Sequence, residues 1–85
     1  MTNQTWTDTT FDPAGVDAVE IAGCIDLGDA IERVDSGDGA TLFSVYVHRT
    51  GQGAECVADR NTAEEARAYG ERLAGRLGVP VVDLL

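Results

Sequence analysis

Between Thr41 and Arg49 the chain reads TLFSVYVHR, β-branched or aromatic at most positions, and a second run, Ala54–Asp59, follows after Gly51-Gln52-Gly53. This alternation of apolar and polar positions around a glycine turn predicts a β-hairpin over 41–59. With Gly51 and Gln52 as a two-residue type II′ loop, Val47 faces Cys56, Val45 faces Ala58, His48 faces Glu55, Tyr46 faces Val57 and Ser44 faces Asp59. Phe43, Val45, Val47, Cys56 and Ala58 then form the core side, because side chains alternate across a strand with period two.

A helix is predicted over 62–77. Thr62 and Glu65 have capping-box spacing, and Gly78 stands where a left-handed residue ends a helix. Arg72 and Arg76 lie near the negative end of its dipole, and Pro80 blocks continuation. Ala66, Tyr69, Gly70, Leu73 and Leu77 recur at three- and four-residue steps and form the stripe that would lie on the sheet. Beyond it, residues 79–85 are apolar enough for a last edge strand; undocked, the same segment would be a dimerisation or partner-binding edge.

The N-terminal half is less regular. Residues 1–11 read as a flexible arm outside a single domain spanning 12–85, with Trp6 a packing anchor rather than a ligand platform. Asp12-Pro13 opens a turn or short helix. Residues 18–25 read as a strand interrupted by Gly23. Residues 26–36 are ambiguous. As a helix, Asp26 caps and Leu27, Ala30, Ile31 and Val34 share a stripe. As a strand hairpinned to 41–49, Glu32 would share a face with Ala30 and Val34. The helix, ending near 35, is the favoured reading. The fold class expected is therefore α+β: one small domain with an antiparallel sheet centred on the hairpin and the C-terminal helix packed across it.

Charge is the compositional outlier. Fifteen acids oppose six arginines and no lysine, a formal charge of −9 over 85 residues. Nine acids (Asp8, Asp12, Asp17, Glu20, Asp26, Asp29, Glu32, Asp35 and Asp38) precede Ala40 against the single base Arg33, whereas the second half is nearly balanced. Direct nucleic-acid binding is disfavoured, because backbone contacts need a clustered Lys/Arg footprint. Arg72 and Arg76 share a helix face, but Glu65 and Glu71 lie nearby. No apolar run has transmembrane length and the first residues lack a secretory h-region, which points to the cytoplasm.

Signatures of chemistry are thin. Tyr46, His48 and Glu55 would share a half-exposed sheet face, where a carboxylate could raise the pKa of the imidazole, but no nucleophile is implied beside them. The expected register puts Cys56 and His48 on opposite faces. Cys24 and Cys56 are too few for a disulfide scaffold and read as two buried thiols; a single bridge between them is the alternative. Asp35-Ser36-Gly37-Asp38-Gly39 suggests calcium but lacks the closing glutamate of an EF-hand loop, and Gly51-Gln52-Gly53 precedes a strand rather than the helix a phosphate loop needs. No cofactor or metal is expected.

The function expected is that of a non-catalytic interaction protein, an inhibitor or adaptor, monomer or homodimer, offering an acidic face to a basic, nucleic-acid-binding site of another protein. Its contact residues would be Asp17, Glu20, Asp26, Asp29, Glu32, Asp35, Asp38, Tyr46, His48 and Glu55. In size and charge the chain resembles small phage-encoded anti-defence proteins, anti-CRISPRs among them, which would place it in a host cytoplasm; no motif carries membership of a family. The competing expectation is a housekeeping domain of a salt-adapted or GC-rich prokaryote, its acids spread for solvation and its partner bound through the sheet or the C-terminal edge.

Overall fold

The computed structural model describes residues 11–28, 31–34 and 39–85. Trp6, Asp29, Asp35, Asp38 and the calcium-like loop at 35–38 lie outside the described residues. In chain order the elements are β1 (Val16–Asp26), β2 (Ile31–Val34), β3 (Leu42–Arg49), β4 (Gly53–Arg60), α1 (Ala63–Leu77) and β5 (Val81–Asp83). The strands form one sheet in the order β2-β1-β3-β4, and α1 packs across one of its faces, the α+β arrangement the pattern predicts.

β1 is the central strand. From Ile21 to Cys24 it is buried at four consecutive positions, so both of its faces are covered there and its apolar residues show no alternation. That is why its period is unreadable in the sequence. Its outer edge is divided between two partners: β2 pairs antiparallel with Gly23–Asp26, and β5 pairs parallel with Val19–Ile21. The predicted C-terminal strand thus docks. It is fastened by bonds from Val19 N to Pro80 O (3.0 Å) and from Leu84 N to Ile21 O (2.9 Å).

The helix expected over 26–36 is corrected: residues 31–34 are strand β2, and it pairs with β1 rather than with β3. The alternation argument against a strand assumes that one face is buried. β2 is a four-residue edge strand exposed at Ile31, Glu32 and Arg33, so Glu32 is not penalised for sharing a side with Val34. The free edge of β1 supplies the hydrogen bonds that local helix propensity cannot match.

The hairpin register is right at one end and wrong at the other. Gln52 N donates to Arg49 O at 3.0 Å, which makes Thr50 and Gly51 the central turn residues. Gly51 at φ 78° supplies the positive φ that a type II turn requires at that position. Arg49 then faces Gly53, Val47 faces Glu55 and Tyr46 faces Cys56, one residue off the expected pairing. A bulge at Val57 restores it, so Val45 faces Ala58 and Ser44 faces Asp59 as expected. Val57 therefore enters the core beside Ala58, and Cys56 leaves it for the opposite face.

The core lies between sheet and helix: Val19, Ile21, Val45, Val47, Val57, Ala58, Ala66 and Ala74, with Phe11, Phe43, Tyr69, Leu73, Val81 and Leu85 packed around them. The helix is capped as predicted. Glu65 N donates to Thr62 Oγ1 at 3.1 Å, and Gly78, at φ 71°, directs its N–H to Ala74 O. Its buried stripe is Ala66, Gly70 and Ala74. Ala74 was not expected in it, and Leu77 is only half-buried and outside the core. Gly70 is needed for close approach, since a Cβ there would stand 2.9 Å from Ile21 Cδ1.

Candidate functional site

Among the described residues no helix lies on the second face of the sheet, where Ala22, Cys24 and Ser44 are nonetheless buried. Register decides which side chains meet on it: Ala18 faces His48, Glu20 faces Tyr46, Ala22 faces Ser44 and Cys24 faces Leu42 across β1 and β3, while β4 adds Cys56 and Asp59 and β2 adds Arg33. A polar network crosses four of the five strands. Cys24 Sγ donates to Ser44 Oγ at 3.4 Å, Ser44 Oγ donates to Asp59 Oδ1 at 2.6 Å, and Cys56 Sγ donates to the same oxygen at 3.5 Å. The Tyr46 hydroxyl lies 3.4 Å from Cys24 Sγ, and the Arg33 guanidinium sits 4.3 Å above the Tyr46 ring while donating to Glu20 Oε1 at 3.3 Å.

The network shifts two of its acidic groups upward. Burial, reinforced by the Cys24 thiol, pushes the Tyr46 phenol up to about 12, and burial with the Asp59 carboxylate pushes the Cys56 thiol up to about 11. Neither is ionised near neutrality, so Cys56 is a poor attacking group. Cys56 and His48 do share a face, contrary to the expected register, and no hydrogen bond joins them. A disulfide between Cys24 and Cys56 is excluded by the topology: β3 separates them, which places their Cα atoms at least about 10 Å apart. Both are free thiols; Cys24 is buried as expected, whereas Cys56 is exposed, because the bulge at Val57 turns it out of the core.

A second cluster sits at the bulge of β1, where Asp17 reaches across to β3. His48 Nδ1 lies 2.6 Å from Asp17 Oδ1, and Thr50 Oγ1 donates to Asp17 Oδ2. The Thr50 and His48 bonds hold the Asp17 carboxyl below its usual value, and Asp17 holds the His48 imidazole above its own. The raised His48 favours the fold below about pH 6.5 and loses that contribution as pH rises through its folded value; the depressed Asp17 does the reverse, losing its contribution as pH falls through its folded value. Both contributions are complete between the unfolded values, 3.8 for Asp17 and 6.5 for His48. An NMR titration is expected to place His48 above about 6.5, and Asp17→Asn to bring it back down. A His48 value indifferent to that substitution would remove Asp17 as the cause.

Of the contact residues expected from the sequence, Asp17, Glu20, Tyr46 and His48 come together on this open face. Asp26 shares it but lies at the far end of β1, bordering a groove of 320 Å³ with Ile31, Thr41, Leu42 and Asp59. Glu55 is corrected: it faces Val47 on the helix side and pairs with Arg49 at 2.8 Å, away from His48. Glu32 faces Ile25, also off the open face. Asp29, Asp35 and Asp38 lie outside the described residues. Missed by sequence reasoning were Arg33, Ser44, Asp59, Cys24 and Thr50. Ser44 and Asp59 were legible as a cross-strand pair, but Arg33 was hidden by the helix reading of its segment.

Among the described residues, no group of three or more His, Cys, Asp or Glu is placed to hold a metal ion, and no helix is long and apolar enough to cross a membrane. Comparison with protein-family models, with curated proteins and with solved structures finds no match.

Proposed function

We propose that the protein is a non-catalytic binding module, an inhibitor or adaptor, that sets the open face of its sheet against a basic site of another protein, of the kind that otherwise holds nucleic acid. The supporting observation is the convergence on that face of Asp17, Glu20, Tyr46 and His48, each already fixed by a neighbour in the fold. Side chains held before contact lose little entropy on binding, and an aromatic group framed by charges is the composition that interfaces favour.

A second reading has its own support. Glu64 and Glu71 are exposed on α1, on the other side of the molecule, and Glu20, Glu55 and Asp83 are each paired with an arginine of the same chain. Acids on both sides suit solvation in a salt-adapted cytoplasm.

One titration separates the two. With an oligo-arginine peptide as probe at low salt, backbone amide shifts are expected to concentrate at Asp17, Glu20, Asp26, Tyr46 and His48, and to vanish at about 0.5 M salt, where charges are screened within a few ångströms. Glu20→Gln is expected to weaken binding without unfolding. Shifts of equal size at Glu64 and Glu71 would favour solvation and overturn the binding face.

A further inference from the structure

The helix carries a cationic site that neither reading uses. Four of the six arginines are engaged within the fold: Arg33 with Glu20, Arg49 with Glu55, Arg67 with Asp83, and Arg60, which donates to Asp59 O and lies 4.7 Å above the Tyr69 ring. Arg72 and Arg76 make no hydrogen bond or ion pair with any described residue. They stand four residues apart on α1, so their side chains are neighbours.

Such a pair is unexpected in a chain with nine surplus negative charges. The positions three and four residues from Arg72 and Arg76 hold Ala68, Tyr69, Leu73, Gly75, Val79 and Pro80 besides each other, and no acid. Glu65, which shares this side of the helix two turns away, is bound to Thr62 in the capping box, and Glu71 projects about 100° away from Arg72. The helix dipole accounts for Arg76, which is in the last turn; it does not account for Arg72, because the effect fades within one turn. A depression of 60 Å³ is lined by Tyr69, Arg72, Leu73 and Arg76.

We propose that Arg72, Arg76 and Tyr69 bind a phosphate group. The depression exceeds the roughly 10 to 15 Å³ that a single water needs, which leaves room for one tetrahedral oxyanion. A planar carboxylate is satisfied by one bidentate guanidinium, whereas a tetrahedral phosphate offers oxygen edges to two forks at once and carries charge to match both. Tyr69 and Leu73 supply an apolar floor for the organic part of a phosphate ester. Arg60, stacked on Tyr69, adds a third positive charge close by. The general negative charge of the chain opposes the ligand only weakly at physiological salt, where screening acts over about 8 Å.

The test is an NMR titration following the arginine Nε–H groups and the Tyr69 ring, with inorganic phosphate, phenyl phosphate and acetate as probes at constant ionic strength. Saturable shifts confined to Tyr69, Arg72 and Arg76 are expected with both phosphates and not with acetate. Tighter binding of phenyl phosphate identifies an ester as the source of the group, and equal binding the free anion. R76Q is expected to weaken phosphate about tenfold, the effect of one lost charge-assisted hydrogen bond, and R72K/R76K also to weaken it, because charge remains but the forks do not. Both side chains are exposed, so an unchanged melting temperature certifies the fold. Shifts spread over all six arginines, equal binding of acetate, or full affinity in R72K/R76K would overturn the proposal.

Discussion

Replacing Ile21 by alanine is expected to cost about 3 to 4 kcal/mol, the usual loss for a fully buried branched side chain whose neighbours cannot close the gap. Ile21 is fully buried in the central strand and meets α1 directly. An 85-residue domain has roughly 4 to 13 kcal/mol to lose, so the melting temperature is expected to fall by some 15 to 25 °C. The contact behind this number has a sharper test. Gly70→Ala adds about 1 kcal/mol of helix propensity, yet its Cβ would lie 2.9 Å from Ile21 Cδ1 and 3.1 Å from Cγ1, and overpacking of that kind costs about 1 to 3 kcal/mol. The expected net effect is a loss of about 1 kcal/mol. Ile21→Val removes Cδ1, and in that background Gly70→Ala is expected to be neutral or stabilising, a coupling of about 1 kcal/mol in a double-mutant cycle. If Gly70→Ala stabilised the wild-type protein, the close approach of helix and sheet would be wrong.

The elements legible in the sequence are those whose signals are local. The Thr62 cap, the Gly78 stop and the alternation of β3 are written within a few residues of where they act, and the structure has them all. What could not be read depends on contacts distant in sequence. The hairpin shows the limit most plainly: the glycine turn was evident, but Gly51 and Gly53 both accept positive φ, so two loop lengths were open. The longer one moves Glu55 to the helix side, and the bulge at Val57 then returns the register to the expected one. That single residue removes Glu55 from His48 and brings Cys56 onto the open face. The candidate site was half legible for the same reason. Tyr46 and His48 follow from β3 alone, whereas their partners Glu20 and Asp17 come from β1, and the pairing of β1 with β3 joins residues some 26 to 31 positions apart that no local signal connects.

β2 was lost to an opposite effect. Its own four residues favour neither state strongly, and the decision lies with the unpaired outer edge of β1, which becomes visible only when β1 is known to be central. The same edge gives the C-terminal segment its place. Val81 and Leu85 pack against the core while Val82 and Leu84 remain 39% exposed, which is why a segment apolar along most of its length reads equally well as a docked strand or as a free adhesive tail.

Ending the chain after Pro80 is therefore expected to lower stability by about 3 to 5 kcal/mol and to induce self-association. Two half-buried side chains, Val81 and Leu85, contribute about 1 to 1.5 kcal/mol each. The parallel ladder to Val19–Ile21 and the bond from Leu84 N to Ile21 O add about 1 kcal/mol net for each bond lost. The exposed Arg67–Asp83 pair adds little, and Arg67→Ala alone is expected to cost less than about 1 kcal/mol. The greater consequence is at β1. Without β5, the edge at Val19–Ile21 is open beside the core, and an unprotected edge recruits another strand. β4, the opposite edge of the sheet, is interrupted by the Val57 bulge and carries Glu55, Asp59 and Arg60, features that discourage such pairing. Denaturation midpoints and size-exclusion profiles of the truncated and full chains test both halves of the prediction. A truncated chain as stable and as monomeric as the full one would mean that β5 is an appendage, and would return the C-terminal segment to the list of partner-binding edges. A destabilised, associating chain would assign it to the sheet.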